Sequence, residues 1–153
     1  MEEKKLKKVK NLANKLLKLM EADGEVETSW DEANEAVRVQ IESADSGLLI
    51  GRHGATIEAL QVVLAAMVQK AEGEWVRVIC NVGDWRERRE EALVQLAMNT
   101  AKRVKFSQEE QEILGLTPGE RRIVHMTLAG DKEVETESVG EGEQRVIMVK
   151  PKG

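Results

Sequence analysis

The sequence contains very few aromatic residues. Three Trp, one Phe and no Tyr make up 3% of its 153 residues. Proteins that bind single-stranded nucleic acid by stacking bases on rows of aromatic side chains need more rings than this. The composition therefore argues against a binding surface of that kind.

Cysteine and histidine are also scarce. Cys80 is the single cysteine, which excludes an internal disulfide framework and a thiolate metal cluster. Cys80 lies in an apolar strand pattern, so we expect a small core residue, with a reactive thiol as the alternative. The only histidines, His53 and His125, are far apart in the sequence, and no Ser/His/Asp set, metal cluster or Walker loop is recognisable. We therefore predict no enzymatic activity, no catalytic residues, no metal and no cofactor.

Long hydrophobic runs are absent as well. The longest apolar run, residues 62–68, is far too short to span a bilayer. The basic start of the chain leads into an amphipathic pattern rather than into the apolar region of a signal peptide. We expect a cytoplasmic protein without membrane insertion.

Positive charge is in deficit overall, but it is unevenly distributed. The formal net charge is -5, which by itself argues against binding to phosphates. Residues 1–20 carry seven Lys and two Glu, whereas residues 21–37 carry seven acidic residues and no basic one. Any surface that binds an anion must therefore be a local basic patch on an acidic protein.

Hydrophobic periodicity predicts an α+β protein built from two small modules. The order of elements up to residue 83 is α-β-β-α-α-β, and the remainder reads as a long helix, an ambiguous segment, a short helix and two strands. We place one module in residues 1–83 and the other in residues 84–153, with the long helix as an element that both could share. The predicted helices cover residues 3–22, 55–70, 85–105 and 117–129, and the predicted strands cover residues 26–30, 36–41, 75–82, 134–138 and 145–149.

A glycine loop, residues 50–54 (IGRHG), lies between two helical segments of the first module. Its two glycines allow a sharp turn and a close approach of the backbone to a ligand. The amides at the start of the following helix would face a phosphate there, Arg52 would add charge, and His53 would add a donor and a flat ring. A turn without a ligand is the alternative. In its α-β-β-α-α-β setting the loop resembles that of a type II KH domain, which clamps the backbone of about four nucleotides.

A second cluster, Arg-x-x-x-His, lies on the short helix of the second module. At about 100° per residue, Arg121, Arg122 and His125 share one arc of roughly 100°, which would form a small anion site. A solvated helix face is the alternative. The segments that follow, residues 136–142 and 145–151, resemble the strand pair of the R-three-H domain, a fold that binds single-stranded nucleic acid.

The two domains occur in the same order and at the same spacing in one known family. The chain resembles the bacterial Jag (SpoIIIJ-associated) family, in which a KH domain precedes an R-three-H domain. The motifs that carry the match are residues 47–54, 57–61, 84–93, 120–125 and 136–140, together with Arg145. The resemblance implies a protein that binds single-stranded RNA, with single-stranded DNA as the alternative ligand, and that acts as a post-transcriptional regulator or RNA chaperone. The implied binding residues are Ile50, Gly51, Arg52, His53, Gly54, Arg121, Arg122, His125 and Arg145.

A different function stays open beside RNA binding. The chain could be a protein–protein scaffold that forms a homodimer, or a heterodimer with a smaller KH protein, and the resemblance then implies a role in cell-envelope or membrane-protein biogenesis. The lysine-rich first helix and the apolar helix 55–70 could both support such pairing.

The chain departs from the family pattern in three respects. We expect no further N-terminal module of the kind that members commonly carry, and Trp85 stands where the family usually has Tyr. Residues 106–113 (FSQEEQEI) replace the strand expected before the Arg-x-x-x-His helix. This segment is more polar than such a strand and could be helical, which puts the first strand of the second module in doubt.

Overall fold

Both halves of the chain combine helices with a three-stranded sheet. The computed structural model describes residues 2–153. The chain divides into two compact units, of which the first ends at Arg86 and the second comprises Glu87–Gly153. The predicted α+β class is confirmed.

The first unit has the element order that the sequence predicted. Strand β1 pairs antiparallel with β2, and β2 pairs parallel with β3, so the sheet order is β1-β2-β3. A single 3₁₀ turn joins α2 to α3. The bounds of the elements are α1 Glu2–Leu19, β1 Glu25–Asp31, β2 Ala36–Glu42, α2 Ser46–Ile50, α3 Ala55–Glu72 and β3 Val78–Val82.

Three helices and one face of this sheet enclose a single core. Apolar residues on α1 recur every four positions, and the buried ones are Val9, Ala13 and Leu17. The strands alternate buried and exposed residues, as a half-buried sheet does. The register places Val39 opposite Cys80, so the buried residues of neighbouring strands lie on one face. The buried residues of α3 are Ile57, Leu60, Leu64 and Val68.

Residues Ser46–Glu72 are long enough for a membrane-spanning helix, and an 18-residue stretch within them reaches a mean hydropathy of 1.2. These residues do not form one helix. The chain breaks after Ile50, where Gly51, His53 and Gly54 take positive φ angles. The longer part, α3, is the central helix of the first core.

The second unit contains α4, α5 and an antiparallel sheet in the order β4-β6-β5. Helix α4 begins at Trp85, so the division between the units falls within its first turn. The core of the second unit is formed mainly by α4, α5 and β6. The bounds of the elements are α4 Trp85–Ser107, β4 Gln111–Ile113, α5 Pro118–Leu128, β5 Val134–Val139 and β6 Val146–Pro151.

The first strand of the second module, which the sequence had put in doubt, is present as β4. Gln108 adopts a left-handed conformation directly after the end of α4, which allows the chain to turn. Residues 111–113 then pair with β6, with Ile113 opposite Ile147. Only Ile113 of the three is buried. A polar composition is compatible with this strand because it is short and lies at the edge of the sheet.

Candidate nucleic-acid interface

The glycine loop of the first unit requires both of its glycines. Gly51 and Gly54 have φ angles of 71° and 79°, in the left-handed region that favours glycine. A Cβ atom at Gly51 would lie 2.9 Å from the backbone nitrogen of Thr56, and one at Gly54 would lie 2.9 Å from Cζ2 of Trp85. Neither contact is tolerable, so the loop can hold its shape only with glycine at these positions.

The loop presents two side chains to solvent. Arg52 and His53 are both exposed, and neither makes a hydrogen bond or ion pair within the described residues 2–153. Ile50 is half-buried against the first core and forms part of the wall behind the loop. Helix α3 starts directly after Gly54, and its first amide, that of Ala55, donates to the Arg52 carbonyl, so the positive end of the helix dipole lies near Arg52 and His53. The geometry suits an anion, which would meet the positive end of the helix dipole together with the Arg52 and His53 side chains.

Trp85 belongs to this loop, although sequence reasoning noted it only as a departure from the family pattern. Its half-buried ring packs against Gly54 and against the first core. The ring therefore supports the loop from behind. The substitution of Trp for Tyr was the available signal, but the partner of the ring could not be read from the sequence.

Two further motif residues, Gln61 and Arg86, have a structural role. The Gln61 Oε1 atom accepts hydrogen bonds from the Cys80 backbone nitrogen at 2.9 Å and from Arg86 Nη2 at 2.8 Å. The Arg86 Nε atom donates to the Cys80 carbonyl, and Glu58 lies 3.6 Å from the same guanidinium. Arg86 is thus committed to contacts within the first unit. Burial raises the pKa of the Cys80 thiol to about 12, which agrees with its prediction as a core residue.

The second candidate site depends on a firmly fixed start of α5. Thr117 and Glu120 form a capping box: the Thr117 hydroxyl accepts from the Glu120 amide, and the Glu120 carboxylate accepts from the Thr117 amide, each at 3.2 Å. Arg89 on α4 donates to both oxygens of the same carboxylate, at 2.9 and 3.3 Å. The first turn of α5, which carries Arg121 and Arg122, is therefore held against α4.

The structure brings the four predicted residues of the second unit together around one hollow of about 420 Å³. Its lining consists of Pro118, Arg121, Arg122, His125, Ser138 and Arg145. Arg121 is half-buried and oriented, because its Nη1 atom donates to the Leu116 carbonyl at 2.7 Å and to the Arg145 carbonyl at 3.5 Å. Arg122 and Arg145 are exposed. A neighbouring hollow of about 640 Å³ shares Pro118, Arg121 and Arg145.

Thr136 and Ser138 are site residues that sequence reasoning missed. The His125 Nδ1 atom and the Thr136 hydroxyl form a hydrogen bond of 2.6 Å, which fixes one side of the ring. Val134 is buried beneath α5, and Thr136 and Ser138 follow it at alternate positions on the same face of β5. Strand alternation could therefore have identified both residues once β5 was placed beside α5.

The family comparisons agree with this arrangement. A family model described as KhpA/KhpB, KH domain matches residues 7–80, and one that describes the R-three-H domain matches residues 91–151. The fold and the two sites thus define a protein with a KH domain followed by an R-three-H domain. The chain belongs to the Jag family, which confirms the resemblance seen in its motifs.

Curated relatives carry the same combination. The chain is 34% identical over 125 residues to the RNA-binding protein KhpB of Clostridium symbiosum, a match that covers 82% of this chain and 56% of that protein. It is 30% identical over 131 residues to the RNA-binding protein KhpB of Bacillus subtilis (strain 168), covering 84% and 63%. A third match, to the RNA-binding protein KhpB of Lactiplantibacillus plantarum, is 35% identical over 120 residues and covers 78% and 37%. The chain therefore spans only part of each of these proteins.

Proposed function

We propose that this chain binds single-stranded RNA and holds its phosphate backbone at two places, with residues 1–83 as the KH module and residues 84–153 as the R-three-H module. The observation that carries the proposal is the hollow of the second unit. Arg121, Arg122, His125 and Arg145 surround it in a chain whose net charge is -5. Basic side chains converge here against the overall charge, as a phosphate site requires.

The hollow can act on a phosphate group through charge-assisted hydrogen bonds. Arg121 is held in place by the two carbonyls, so part of its conformational entropy is lost before the ligand arrives. Arg122 and Arg145 can close on the phosphate from the exposed side, and guanidinium groups suit its oxygens. The neighbouring hollow between residues 115–118 and 142–145 leaves room for the attached sugar and base. Contacts of this kind position the strand without selecting its sequence.

The glycine loop supplies the other contact. A phosphate in front of Gly51–Gly54 would meet the positive N-terminal end of α3, and Arg52 would add a full positive charge. Because the chain has only four aromatic residues, we expect backbone contacts to contribute more than base stacking.

We further propose that the protein acts in the cytoplasm as a post-transcriptional regulator or RNA chaperone, without catalysis. Single-stranded DNA is the alternative ligand, with an affinity equal to or weaker than that of RNA.

A titration with fluorescent oligonucleotides tests this proposal. The single strand should bind more tightly than a duplex of the same sequence. Its affinity should fall with salt, with a slope of about -0.7 per phosphate contact in a plot of log affinity against log salt concentration. Duplex binding that equals or exceeds single-strand binding would contradict the proposal.

One observation favours pairing between KH modules as a second function. The solvent face of α3 carries Ala59, Val62, Val63 and Ala66 at helical spacing, and Val62 and Val63 are 68% and 46% exposed. Such a stripe supports the proposal of a homodimer, or of a heterodimer with a smaller KH protein, and hence of a scaffold in cell-envelope or membrane-protein biogenesis. Sedimentation of the chain and of its Val62→Glu variant tests this. A monomer in both cases would contradict self-pairing.

A further inference from the structure

The solvent face of α1 carries a row of lysines. Lys4, Lys7, Lys15 and Lys18 are all exposed, and at 100° per residue they fall within an arc of about 80°. From the first to the last they extend along the helix for about 21 Å, at about 1.5 Å per residue. We call these four residues the lysine ridge.

Neighbouring acidic side chains do not neutralise the ridge. The other lysines of α1 are paired within the first unit: Lys5 with Glu74 at 2.7 Å, Lys8 with Glu72 at 2.8 Å and Lys10 with Glu27 at 3.5 Å. The ridge lysines form no ion pair with any residue between 2 and 153. The sequence has no acidic residue between Glu3 and Glu21. Lys4 interacts with Glu72 over a longer distance, but ion pairs do not neutralise the ridge, which is a row of positive charge on an acidic protein.

This arrangement is unfavourable for the isolated helix. Lysines three or four positions apart repel each other, as Lys4 and Lys7 do at one end and Lys15 and Lys18 at the other. Glu3, four positions before Lys7, relieves the repulsion at one end, whereas no acidic residue of the helix lies three or four positions from Lys15 or Lys18. A bound polyanion would relieve it as well.

The structure favours a nucleic acid over a membrane as the polyanion. A basic amphipathic helix that binds lipid must insert its apolar face. In α1 that face is committed to the protein core, through Val9, Ala13 and Leu17. Only the charged face is available to a partner, and a regular row of cations matches a regular row of phosphates.

The ridge leads toward the glycine loop. Its N-terminal end lies at the end of α3, where Lys8 meets Glu72. At the other end, the Asp23 amide donates to the Asp45 carboxylate at 3.0 Å, and Asp45 directly precedes α2. Helix α2 has five residues, about 7 Å, and the loop follows it. The Asp23–Asp45 contact and the short helix α2 therefore separate the C-terminal end of α1 from the loop.

We propose that the lysine ridge is a third contact for the backbone of the same RNA strand and extends the site beyond the nucleotides that the glycine loop holds. The inference rests on the proposed RNA binding. It predicts that the ridge affects long strands and leaves short ones unaffected.

The test compares two triple variants with the same change of net charge. One removes ridge charges, Lys7→Gln/Lys15→Gln/Lys18→Gln, and glutamine is as good a helix former as lysine. The control removes three exposed lysines of the second unit, Lys102→Gln/Lys132→Gln/Lys152→Gln. Circular dichroism confirms folding. Anisotropy titrations use oligouridylates of about 4 and about 20 nucleotides, because the loop of a KH domain holds about four.

The ridge variant should bind the long strand about 3- to 150-fold more weakly than the wild type does, if each lysine acts like an exposed ion pair. Its salt slope should be shallower by up to about 2 units, and its affinity for the short strand should stay within about twofold. The control variant should resemble the wild type with both strands.

Three outcomes overturn the inference. Equal losses in the two variants would show an effect of net charge alone, and unchanged long-strand affinity in the ridge variant would remove the contact. Loss of binding to phosphatidylserine vesicles with retained RNA affinity would assign the ridge to a membrane. If the wild-type chain binds neither oligonucleotide, the proposed function fails together with this inference. In the other three outcomes the wild-type chain still binds RNA, so only the inference fails.

Discussion

Replacement of Arg122 with Ala should weaken RNA binding without changing stability. Arg122 is exposed at the hollow, and within residues 2–153 its guanidinium forms no hydrogen bond or ion pair that folding would lose. A charge-assisted hydrogen bond to a phosphate contributes about 1.5–3 kcal/mol, which corresponds to an affinity loss of about 10- to 150-fold. The salt slope should also become shallower by about 0.7, because one phosphate contact disappears.

The neighbouring Arg121 should behave differently, which makes the comparison informative. Its guanidinium donates to the carbonyls of Leu116 and Arg145 in the free protein. The Arg121→Ala variant should therefore lose stability as well as affinity. Loss of the hydrogen bonds to the two carbonyls should lower its free energy of unfolding by about 1 kcal/mol. For a unit of this size that loss lowers the melting temperature by about 4–8 °C.

The assay pairs fluorescence anisotropy with thermal melting, and Arg103→Ala serves as the matched control. Arg103 is an exposed arginine on α4 of the same unit, so its removal changes the net charge equally. The explanation is refuted if Arg122→Ala binds single-stranded RNA as tightly as Arg103→Ala does. It is also refuted if Arg122→Ala lowers the melting temperature as much as Arg121→Ala does, because Arg122 would then be a structural residue.

Three further predictions concern the first unit. The double variant Arg52→Asp/His53→Asp should fold normally, because Asp tolerates the left-handed conformation of residue 53. Its RNA affinity should fall about 10-fold or more. Normal binding in an anisotropy titration would show that the loop is a turn without a ligand. The Gly54→Ala variant should have a free energy of unfolding in urea that is lower by about 2–4 kcal/mol, because residue 54 has a positive φ angle and contacts Trp85. An unchanged midpoint of urea unfolding would contradict this packing. Cys80 should resist iodoacetamide at pH 8 until the protein unfolds, because burial raises its pKa to about 12, and rapid labelling of the native protein would show an exposed thiol.

The sequence predicted those parts of the fold that depend on local periodicity. Helix α1 and strand β2 followed directly from the spacing of their apolar residues, and the face shared by Arg121, Arg122 and His125 followed from the helical repeat. Arg145 entered the prediction through the family resemblance, because nothing in its local sequence marks it as a neighbour of α5.

What could not be predicted depends on contacts between distant segments. Strand β4 has three residues and one buried side chain, too few for a periodic signal. The bond between His125 and Thr136 requires β5 to lie beside α5 in a particular register. The contact between Trp85 and Gly54 likewise joins residues that only the folded unit brings together.

The hydrogen bonds around Cys80 also bear on how this protein avoids aggregation. Strand β3 is the last strand of its sheet, and a free strand edge offers unpaired amides and carbonyls to any extended segment of another molecule. Gln61 and Arg86 occupy the amide and the carbonyl of Cys80 at the middle of this five-residue strand. A foreign strand would have to displace a guanidinium before it could add to the sheet. The β3 edge of this sheet therefore carries its own blocking groups.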